Sequence, residues 1–389
     1  MRRVRKIQLG GIRKAIGGGA LALTLALAAA AAYRTHEESD SEVFAKAYPQ
    51  VSGTRLDGCE VCHSRVTAPP AGQRGGQGVV HNSCDSCHQA TDYGRKKADV
   101  LTPFGIDYLK HGRDAAALEA IARLDSDGDG ATNADELAAL TNPGDAASSP
   151  EKPAAAHVVL SYDDLAKKLQ ARTQAMFVNV AKYKNGDSYS DVRGFRLIEV
   201  LEAAGVSKDA QSVDAISLDG YVTTFSIEQL RKTFPQAAPV FGLDKETLGE
   251  CGWVSYGAKG LEAGKPLPPA DILLSFEEDG RPYPAASIDA EGRLVGSGPL
   301  RVAAPQMTSP GVPDLSANAP EACVQKVPEI HRYHREYEKN ADYCAKAVVA
   351  LRVNPLPPGV VDIDWPKYAK QAVEGRGVVV FGAITAREE

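Results

Sequence analysis

The sequence lacks the excess of basic residues that proteins bound to phosphate backbones carry. It has 44 lysines and arginines against 50 aspartates and glutamates, which gives a formal net charge of −6. Six basic residues and no acid occur before position 33, so the rest of the chain carries 38 basic against 50 acidic side chains. This balance excludes nucleic acid as an expected partner.

Methionine, cysteine and aromatic residues are also scarce. Aromatic residues make up 6% of the chain, whereas it has 36 glycines and 24 prolines, which predicts long loops. The three methionines are Met1, Met176 and Met307, and no cysteine lies between Cys87 and Cys251. With 389 residues and 43% apolar side chains, we expect two or three domains with buried cores.

The first 32 residues have the pattern of a targeting segment. A basic start precedes an apolar stretch from 15 to 32, and this stretch ends in an alanine run. Small residues at this point are typical of a signal peptide cleavage site, and the absence of cysteine excludes a lipoprotein anchor. The stretch just reaches membrane-spanning length, so a retained N-terminal anchor is the alternative. In both cases we expect the remainder on the periplasmic or extracellular side of a bacterial envelope.

Two short motifs of one form follow: Cys59-Glu60-Val61-Cys62-His63 and Cys84-Asp85-Ser86-Cys87-His88. A Cys-x-x-Cys-His motif indicates a covalently attached c-type haem, because both thiols can bond the vinyl groups of one haem. The adjacent histidine, His63 or His88, then binds the iron as its proximal ligand. A zinc site made by four thiolates is the alternative. Zinc does not require a histidine directly after both second cysteines, so the motifs favour two haems c.

Each haem iron needs a sixth ligand, and nearby histidines are the candidates, since no methionine lies in this region. His81 lies three residues before the second motif, and we expect it to bind the iron that His63 holds. His111 ends the amphipathic segment 104–110 and is expected as the other distal ligand, in preference to His36. The alternative is that His81 and His111 are surface histidines that bind no iron.

The stretch Asp125-Ser126-Asp127-Gly128-Asp129-Gly130, followed by Glu136, fits the calcium-binding loop of an EF-hand. Alternate residues direct oxygens inward, Gly130 permits a sharp turn, and Glu136 closes the site with both oxygens. The expected ligands are Asp125, Asp127, Asp129, the Ala131 carbonyl, Asn133 directly or through water, and Glu136. A solvated acidic turn is the alternative, but four acids this close repel one another without a cation. A single loop predicts a structural ion rather than a calcium sensor.

Residues 59–148 resemble a family of exported bacterial dihaem cytochromes. The likeness rests on both haem motifs, on Phe104-Gly105-Ile106-Asp107-Tyr108-Leu109, on the calcium loop, and on Pro143-Gly144-Asp145. The resemblance implies a small, mostly α-helical and irregular dihaem cytochrome c domain at 33–148, with one EF-hand-like loop. The stretch 64–83 between the motifs is too rich in proline and glycine for a core, so we expect the haems to supply apolar contacts there.

After a linker at 149–156, residues 157–310 resemble the molybdopterin-binding domain of the sulfite-oxidase type. The likeness rests on Arg193-Gly194-Phe195-Arg196-Leu197, Asp219-Gly220-Tyr221 and Gly298-Pro299-Leu300-Arg301. The resemblance implies an α+β fold, and hence a multidomain protein. Members of that family hold molybdenum through a cysteine in an early strand, near where Phe177-Val178-Asn179-Val180 falls here. That cysteine is missing, and Cys251 lies at the wrong place to replace it, so bound molybdopterin is not expected.

The segment 311–389 is predicted to be a C-terminal extension. It contains a charged helical stretch at 327–347 and a strand at 348–353 that returns to the middle domain. In an oxidising compartment, Cys323 and Cys344 at the ends of this helix are the predicted disulfide. His331 and His334 stand three residues apart on the same helix and could bind a metal, although a solvated polar face is favoured.

The favoured function is an exported electron carrier whose irons exchange electrons with redox partner proteins. No catalytic residue is predicted, and the middle domain then serves as a docking or structural module. The acidic body favours partners with basic surfaces, and a membrane is involved only through an uncleaved N-terminus. A molybdopterin-dependent oxidoreductase of a small oxyanion, with the haems as an electron relay, is the alternative. A third hypothesis is an enzyme that reacts at one open haem iron.

Overall fold

A computed structural model describes residues 39–57, 61, 101–180, 186–289, 293–308 and 310–385. The targeting segment 1–32 lies outside the described residues. So do His36, His81 and both haem motifs, apart from Val61 of the first motif. No helix in the described ranges is long and apolar enough to cross a membrane.

The described part of the N-terminal unit contains four short α-helices: α1 (Ser39–Ala47), α2 (Pro103–Lys110), α3 (Ala115–Ile121) and α4 (Asn133–Ala139). Each of the last three begins at a residue whose side chain accepts a hydrogen bond from the first turn: Thr102, Asp114 and Thr132. Such caps satisfy backbone donors that have no partner within the helix. The apolar side chains of this unit form one buried cluster: Val51, Leu56, Val61, Phe104, Tyr108, Ala117, Leu118, Ile121 and Leu137.

The remainder of the described chain is an α+β unit. Its elements in chain order are β1 (His157–Leu160), α5 (Tyr162–Lys168), β2 (Arg172–Val178), β3 (Ser188–Arg196), α6 (Leu197–Ala203), β4 (Ser212–Ser217), β5 (Val222–Ser226), α7 (Ile227–Leu230), α8 (Lys245–Leu248), β6 (Ser255–Tyr256), β7 (Leu273–Glu278), β8 (Arg281–Pro282), β9 (Ser287–Ile288), β10 (Leu294–Val295), β11 (Arg301–Ala303), α9 (Glu321–Val324), β12 (Val348–Asn354), α10 (Pro366–Glu374) and β13 (Val378–Gly382).

Two sheets organise this unit. One has five strands in the order β1, β13, β12, β4, β5. The other has the order β11, β7, β3, β2, with β6 beside β3 and β8 beside β7. Side chains from both sheets and from α6 and α7 share one apolar core. Gly194 is needed where β3 crosses β7, because a Cβ there would lie 2.6 Å from the Ser275 Cα.

The C-terminal segment supplies two inner strands of the five-stranded sheet. The strand expected at 348–353 is observed as β12, which pairs with β4 and with β13. Strands β12 and β13 run parallel, and α10 makes the crossover between them. All five residues of β13 are buried. Because parallel strands buried on both faces read as continuous apolar runs, Val378-Val379-Val380-Phe381 fits this central position.

The charged helix predicted at 327–347 is wrong. This stretch is irregular and contains two 3-10 turns, Glu329–His331 and Asn340–Tyr343. Its polar groups bond to distant partners instead: Asp314 accepts from the His334 N–H, and Asn340 donates to the Ala304 carbonyl. Helix propensity is a weak preference, and these tertiary hydrogen bonds outweigh it.

The two units touch through the predicted linker and through one loop. Ala155 and Val361 are joined by a hydrogen bond of 2.8 Å from the Ala155 N–H to the Val361 carbonyl. The Arg55 N–H donates to Asp364 Oδ1 over 2.9 Å, and its guanidinium donates to the Leu140 carbonyl. Ala155 of the predicted linker is thus hydrogen-bonded to the α+β unit.

Candidate functional site

The predicted calcium loop lies between α3 and α4, and Asn133 fastens its two ends together. The Asn133 side chain is fully buried, and its Nδ2 donates to the Ile121 carbonyl over 2.7 Å and to Ser126 Oγ over 2.9 Å. Its backbone N–H donates to the Leu124 carbonyl over 2.8 Å. Asn133 therefore sets the shape of the loop, and its contact with an ion, direct or through water, stays a prediction.

The three aspartates of the loop turn oxygens toward a common point. One oxygen from each of Asp125, Asp127 and Asp129 lies within 4.8 Å of the others. Asp125 accepts hydrogen bonds from the loop N–H groups of Gly128 and Gly130, which hold it in place. The loop backbone itself thus orients the acids, as expected for ligands that alternate along a tight turn.

Several carboxylate oxygens of the loop are buried and have no hydrogen-bond partner among the described residues. They are Oδ2 of Asp127, Oδ2 of Asp129 and both oxygens of Glu136. The Glu136 side chain is fully buried at the start of α4. An unpaired buried carboxylate is costly, so this set of four oxygens fits a cation. Oxygen ligands with a closing glutamate are those that calcium prefers.

The acids also perturb one another. Burial, with the neighbouring Asp127 and Asp129 carboxylates, raises the pKa of Glu136 to about 8. Burial chiefly raises the pKa of Asp127 to about 6. Hydrogen bonds from the Gly130 and Gly128 N–H groups lower the pKa of Asp125. A divalent cation would reverse the first two shifts, because it stabilises the ionised carboxylates.

The calcium loop is linked to helix α2 through Ser126. The Ser126 hydroxyl donates to Asp107 Oδ2 over 3.0 Å, and it accepts from the Asn133 amide. The Asp107 carboxylate also accepts from Lys110 over 3.2 Å. One turn later, His111 is the C-cap of α2, and its backbone N–H donates to the Asp107 carbonyl. Sequence analysis missed the role of Ser126 and Asp107, because neither residue occupies a ligand position of the calcium-loop motif.

His111 is exposed at the C-terminal end of α2, and its ring is held by a hydrogen bond. Its Nδ1 lies 2.8 Å from the Asp107 carbonyl oxygen. A carbonyl can only accept, so Nδ1 carries the proton, and in the neutral ring Nε2 keeps its lone pair. Nε2 bonds to none of the described residues. A hydrogen bond of this kind orients a histidine for a metal. An exposed ring is also what a surface position predicts, so the distal-ligand role of His111 stays a prediction.

Val61, the middle residue of the first haem motif, belongs to the core of the same unit. Its side chain is 1% exposed among Phe104, Tyr108 and Leu137, and its carbonyl accepts a hydrogen bond of 2.8 Å from Thr102 Oγ1. Thr102 is also the N-cap of α2, the helix that ends at His111. Val61, α2, and the helices α3 and α4 on either side of the calcium loop therefore share one small core.

Neither models of known protein families nor curated proteins match the chain. The remaining predicted site residues are therefore judged on their geometry alone.

The predicted disulfide between Cys323 and Cys344 is wrong. Cys323 is bonded to Cys251, with a Cα–Cα distance of 5.3 Å, and Cys344 is a free, buried thiol. The Cys344 thiol instead points to the Ala304 carbonyl, and burial raises its pKa. An oxidising compartment predicts that cysteines pair, but which of them pair depends on tertiary packing, and this brings Cys251 next to Cys323 across 72 positions. The disulfide also removes Cys251 as a thiolate ligand for molybdenum.

His331 and His334 do not form a metal site with each other. His331 is buried, and its Nδ1 bonds to the Pro313 carbonyl over 2.8 Å. His334 has an acceptor at each nitrogen, Glu336 Oε1 at 2.9 Å and the Glu329 carbonyl at 3.1 Å. These contacts raise the pKa of His334, with the Glu329 carbonyl making the largest contribution. Both histidines thus hold the irregular segment in place.

A buried polar network surrounds the end of β2, and sequence analysis missed it. Asn179 donates from Nδ2 to Asp314 Oδ1 over 2.8 Å, and its backbone N–H donates to Asn340 Oδ1. Lys339 pairs with Asp314 over 2.7 Å, and Asp187 accepts from the Trp253 indole over 3.2 Å. The signal in the sequence is Asn179 itself, a polar residue within the apolar run 177–180. The network fixes the backbone at the end of β2, because Asn179 N–H and Val180 N–H both donate to its side chains.

Proposed function

We propose that this chain is an exported dihaem c-type cytochrome that carries electrons in the cell envelope and holds one structural calcium ion. The observation that carries the proposal is the pair of Cys-x-x-Cys-His motifs, which occur 25 positions apart. In this proposal Cys59, Cys62, Cys84 and Cys87 attach the haems, which supply one-electron redox chemistry. The chain supplies axial ligands and apolar surroundings.

The N-terminal unit supports this proposal. Val61 of the first motif packs in its core, and His111 presents an oriented imidazole whose Nε2 bonds to none of the described residues.

The calcium ion fits the same unit as a structural clamp. Glu136 lies next to Leu137, which is buried against Val61 and Phe104. A bound ion would stabilise the loop and, through α4, the core on which the first haem motif rests. The single loop and its four buried unpaired oxygens favour this role over calcium sensing.

The proposed export agrees with the disulfide between Cys251 and Cys323. Disulfides persist in oxidising compartments and are rare in the cytosol. The N-terminal pattern of a basic start and an apolar stretch points to the same side of the membrane. Calcium sites of this charge are also well suited to an extracellular calcium concentration.

Charge suggests the kind of redox partner. In residues 33–148, eighteen acidic side chains stand against eleven basic ones. One calcium ion would offset only two of these charges, so the haem-bearing unit stays acidic. Electrostatic complementarity then favours redox proteins with basic surfaces, and association should slow as ionic strength rises. The α+β unit serves as a docking or structural module.

The experiment is a reduced-minus-oxidised absorption spectrum of the purified chain together with its metal content. We expect a c-type haem spectrum, two irons and one calcium per chain, and no molybdenum. The double variant Cys84→Ala/Cys87→Ala should retain one iron, whereas Cys344→Ala, which changes a cysteine outside both motifs, should retain two. Bound zinc without iron would overturn the proposal, and stoichiometric molybdenum would favour the oxidoreductase instead.

A further inference from the structure

We propose that Ser126 and Asp107 are positioning residues through which calcium holds His111 ready to bind a haem iron. This inference rests on the proposed function, since it concerns the distal ligand of one of the two haems. It goes further because it makes the ligation of that iron depend on the calcium loop.

The connection from the loop to the histidine ring consists of hydrogen bonds that meet at Asp107, which accepts from Ser126 with its side chain and from His111 with its backbone carbonyl. Asn133 donates to Ser126 Oγ over 2.9 Å, and Ser126 donates to Asp107 Oδ2 over 3.0 Å. His111 then donates from Nδ1 to the Asp107 carbonyl over 2.8 Å. Because the Asp107 carbonyl can only accept, its bond to the His111 ring fixes both the orientation of the ring and the nitrogen that carries the proton.

Among the residues of this hydrogen-bonded path, Ser126 is the one whose contact depends on the shape of the calcium loop. It stands at the second position of the loop, between Asp125 and Asp127, but its side chain faces α2 rather than the acids. Without calcium, the four acids of the loop repel one another, and the unpaired oxygens of Glu136 oppose its burial. The loop then relaxes, and the Ser126 hydroxyl leaves Asp107.

Other contacts also hold the end of α2. Tyr108 is buried, and Arg113 donates to Asp40 of α1 from its guanidinium and to the Tyr108 carbonyl from its N–H. The rest of the last turn is exposed at Leu109, Lys110 and His111, and the contact between Ser126 and Asp107 is its restraint from the calcium loop. Loss of this contact therefore loosens Asp107, whose carbonyl aims Nε2, and an iron bound there would lose its sixth ligand part of the time.

The test uses the full, haem-loaded protein and its absorption spectrum, in which low-spin and high-spin haem differ. With calcium in excess, both haems of the natural protein should be low-spin. Chelation with EGTA should convert a fraction of one of the two haems to the high-spin form. Ser126→Ala should show that high-spin fraction even with calcium bound, whereas Ser126→Thr, which keeps the hydroxyl, should behave as the natural protein.

Calcium titration gives a second and independent measurement. Coupling between two sites is reciprocal, so His111→Ala should weaken calcium binding by the same factor by which calcium removal weakens His111 ligation, roughly tenfold. This readout does not depend on the folding of the Ser126 variants. It also separates a positioning role from a merely structural one.

The outcomes are distinguishable from failure of the proposed function. If the chain carries no covalent haem, the dihaem proposal is wrong, and this inference falls with it. If it carries two haems but His111→Ala leaves both low-spin, His111 is not a ligand and the inference alone is wrong. An unchanged spectrum of Ser126→Ala, together with an unchanged calcium affinity of His111→Ala, would also overturn it.

Discussion

Thr102 Oγ1 donates a hydrogen bond of 2.8 Å to the carbonyl of Val61, across 41 positions of the chain. The same oxygen accepts from the Gly105 N–H over 3.1 Å and so caps α2. One buried hydroxyl therefore ties the first Cys-x-x-Cys-His motif to the helix that carries His111. This contact fixes Val61, the middle residue of that motif, on the helical unit.

Thr102→Val should destabilise the N-terminal unit by about 1–3 kcal/mol, because it removes a helix cap and leaves the buried Val61 carbonyl unpaired. The change keeps the shape of the side chain, so packing is preserved. Urea unfolding followed at the haem absorption measures it. Thr173→Val, on an exposed position of β2, is the matched control and should change stability by less than about 0.5 kcal/mol. Equal unfolding midpoints would contradict the structural role of Thr102.

Glu136→Gln should lower calcium affinity by at least about tenfold, because the closing bidentate carboxylate is lost. In EGTA at pH 7 or above, the same variant should be more stable than the natural protein, since the natural Glu136 must take up a proton or bury an unpaired charge when the chain folds. Calorimetric titration with calcium and thermal unfolding in EGTA measure the two effects. Glu119→Gln, an exposed change in α3, is the control and should leave both unchanged. Calcium binding by Glu136→Gln with natural affinity would rule out this loop as the site.

Loss of the disulfide should weaken the α+β unit. The bond joins residues 72 positions apart, and closing a loop of that length stabilises a fold by about 4 kcal/mol. Cys323→Ser should therefore lower the free energy of unfolding by an amount of that order. Cys344→Ala is the control and should leave the bond intact. Peptide mapping should find Cys251 linked to Cys323, and a peptide linking Cys323 to Cys344 would contradict the structure.

Asp187 should make stability fall as pH rises. Burial, with the nearby Asp314 carboxylate, raises the pKa of Asp187 to about 7, from an ordinary value of 3.8. The folded state therefore holds this proton more tightly than the unfolded state. The resulting contribution to stability is fully present below about pH 4, is lost progressively up to about pH 7, and is absent above that.

Asp187→Asn tests this dependence, because the amide does not titrate. At low pH the variant should be less stable than the natural protein, since one of the two donors, Val180 N–H or the Trp253 indole, loses its acceptor. With rising pH the difference should shrink. Urea unfolding midpoints at several pH values, with calcium in excess throughout, give the comparison. Parallel pH curves for the two proteins would show that Asp187 does not titrate in this range.

The meeting of three aspartates in one loop followed from the sequence because the loop is a local structure, whereas the calcium ion itself stays a prediction. Asp125, Asp127 and Asp129 are oriented by N–H groups within five residues of each acid, so their spacing alone carries the geometry. The prediction of a strand at 348–353 succeeded because the run Val348-Val349-Ala350-Leu351 is apolar on both faces.

Only the tertiary structure decided which distant residues meet. The partner of Cys323 lies 72 positions away, and the link from Ser126 to Asp107 joins two elements through side chains that no motif requires. The stretch 327–347 has helix-forming residues, yet its polar groups bond to Asp314, Asn179 and Ala304 instead. Such contacts depend on how the whole chain packs. The spacing of residues along the sequence therefore determined which side chains are predicted ligands. Tertiary packing determined which distant residues those side chains contact.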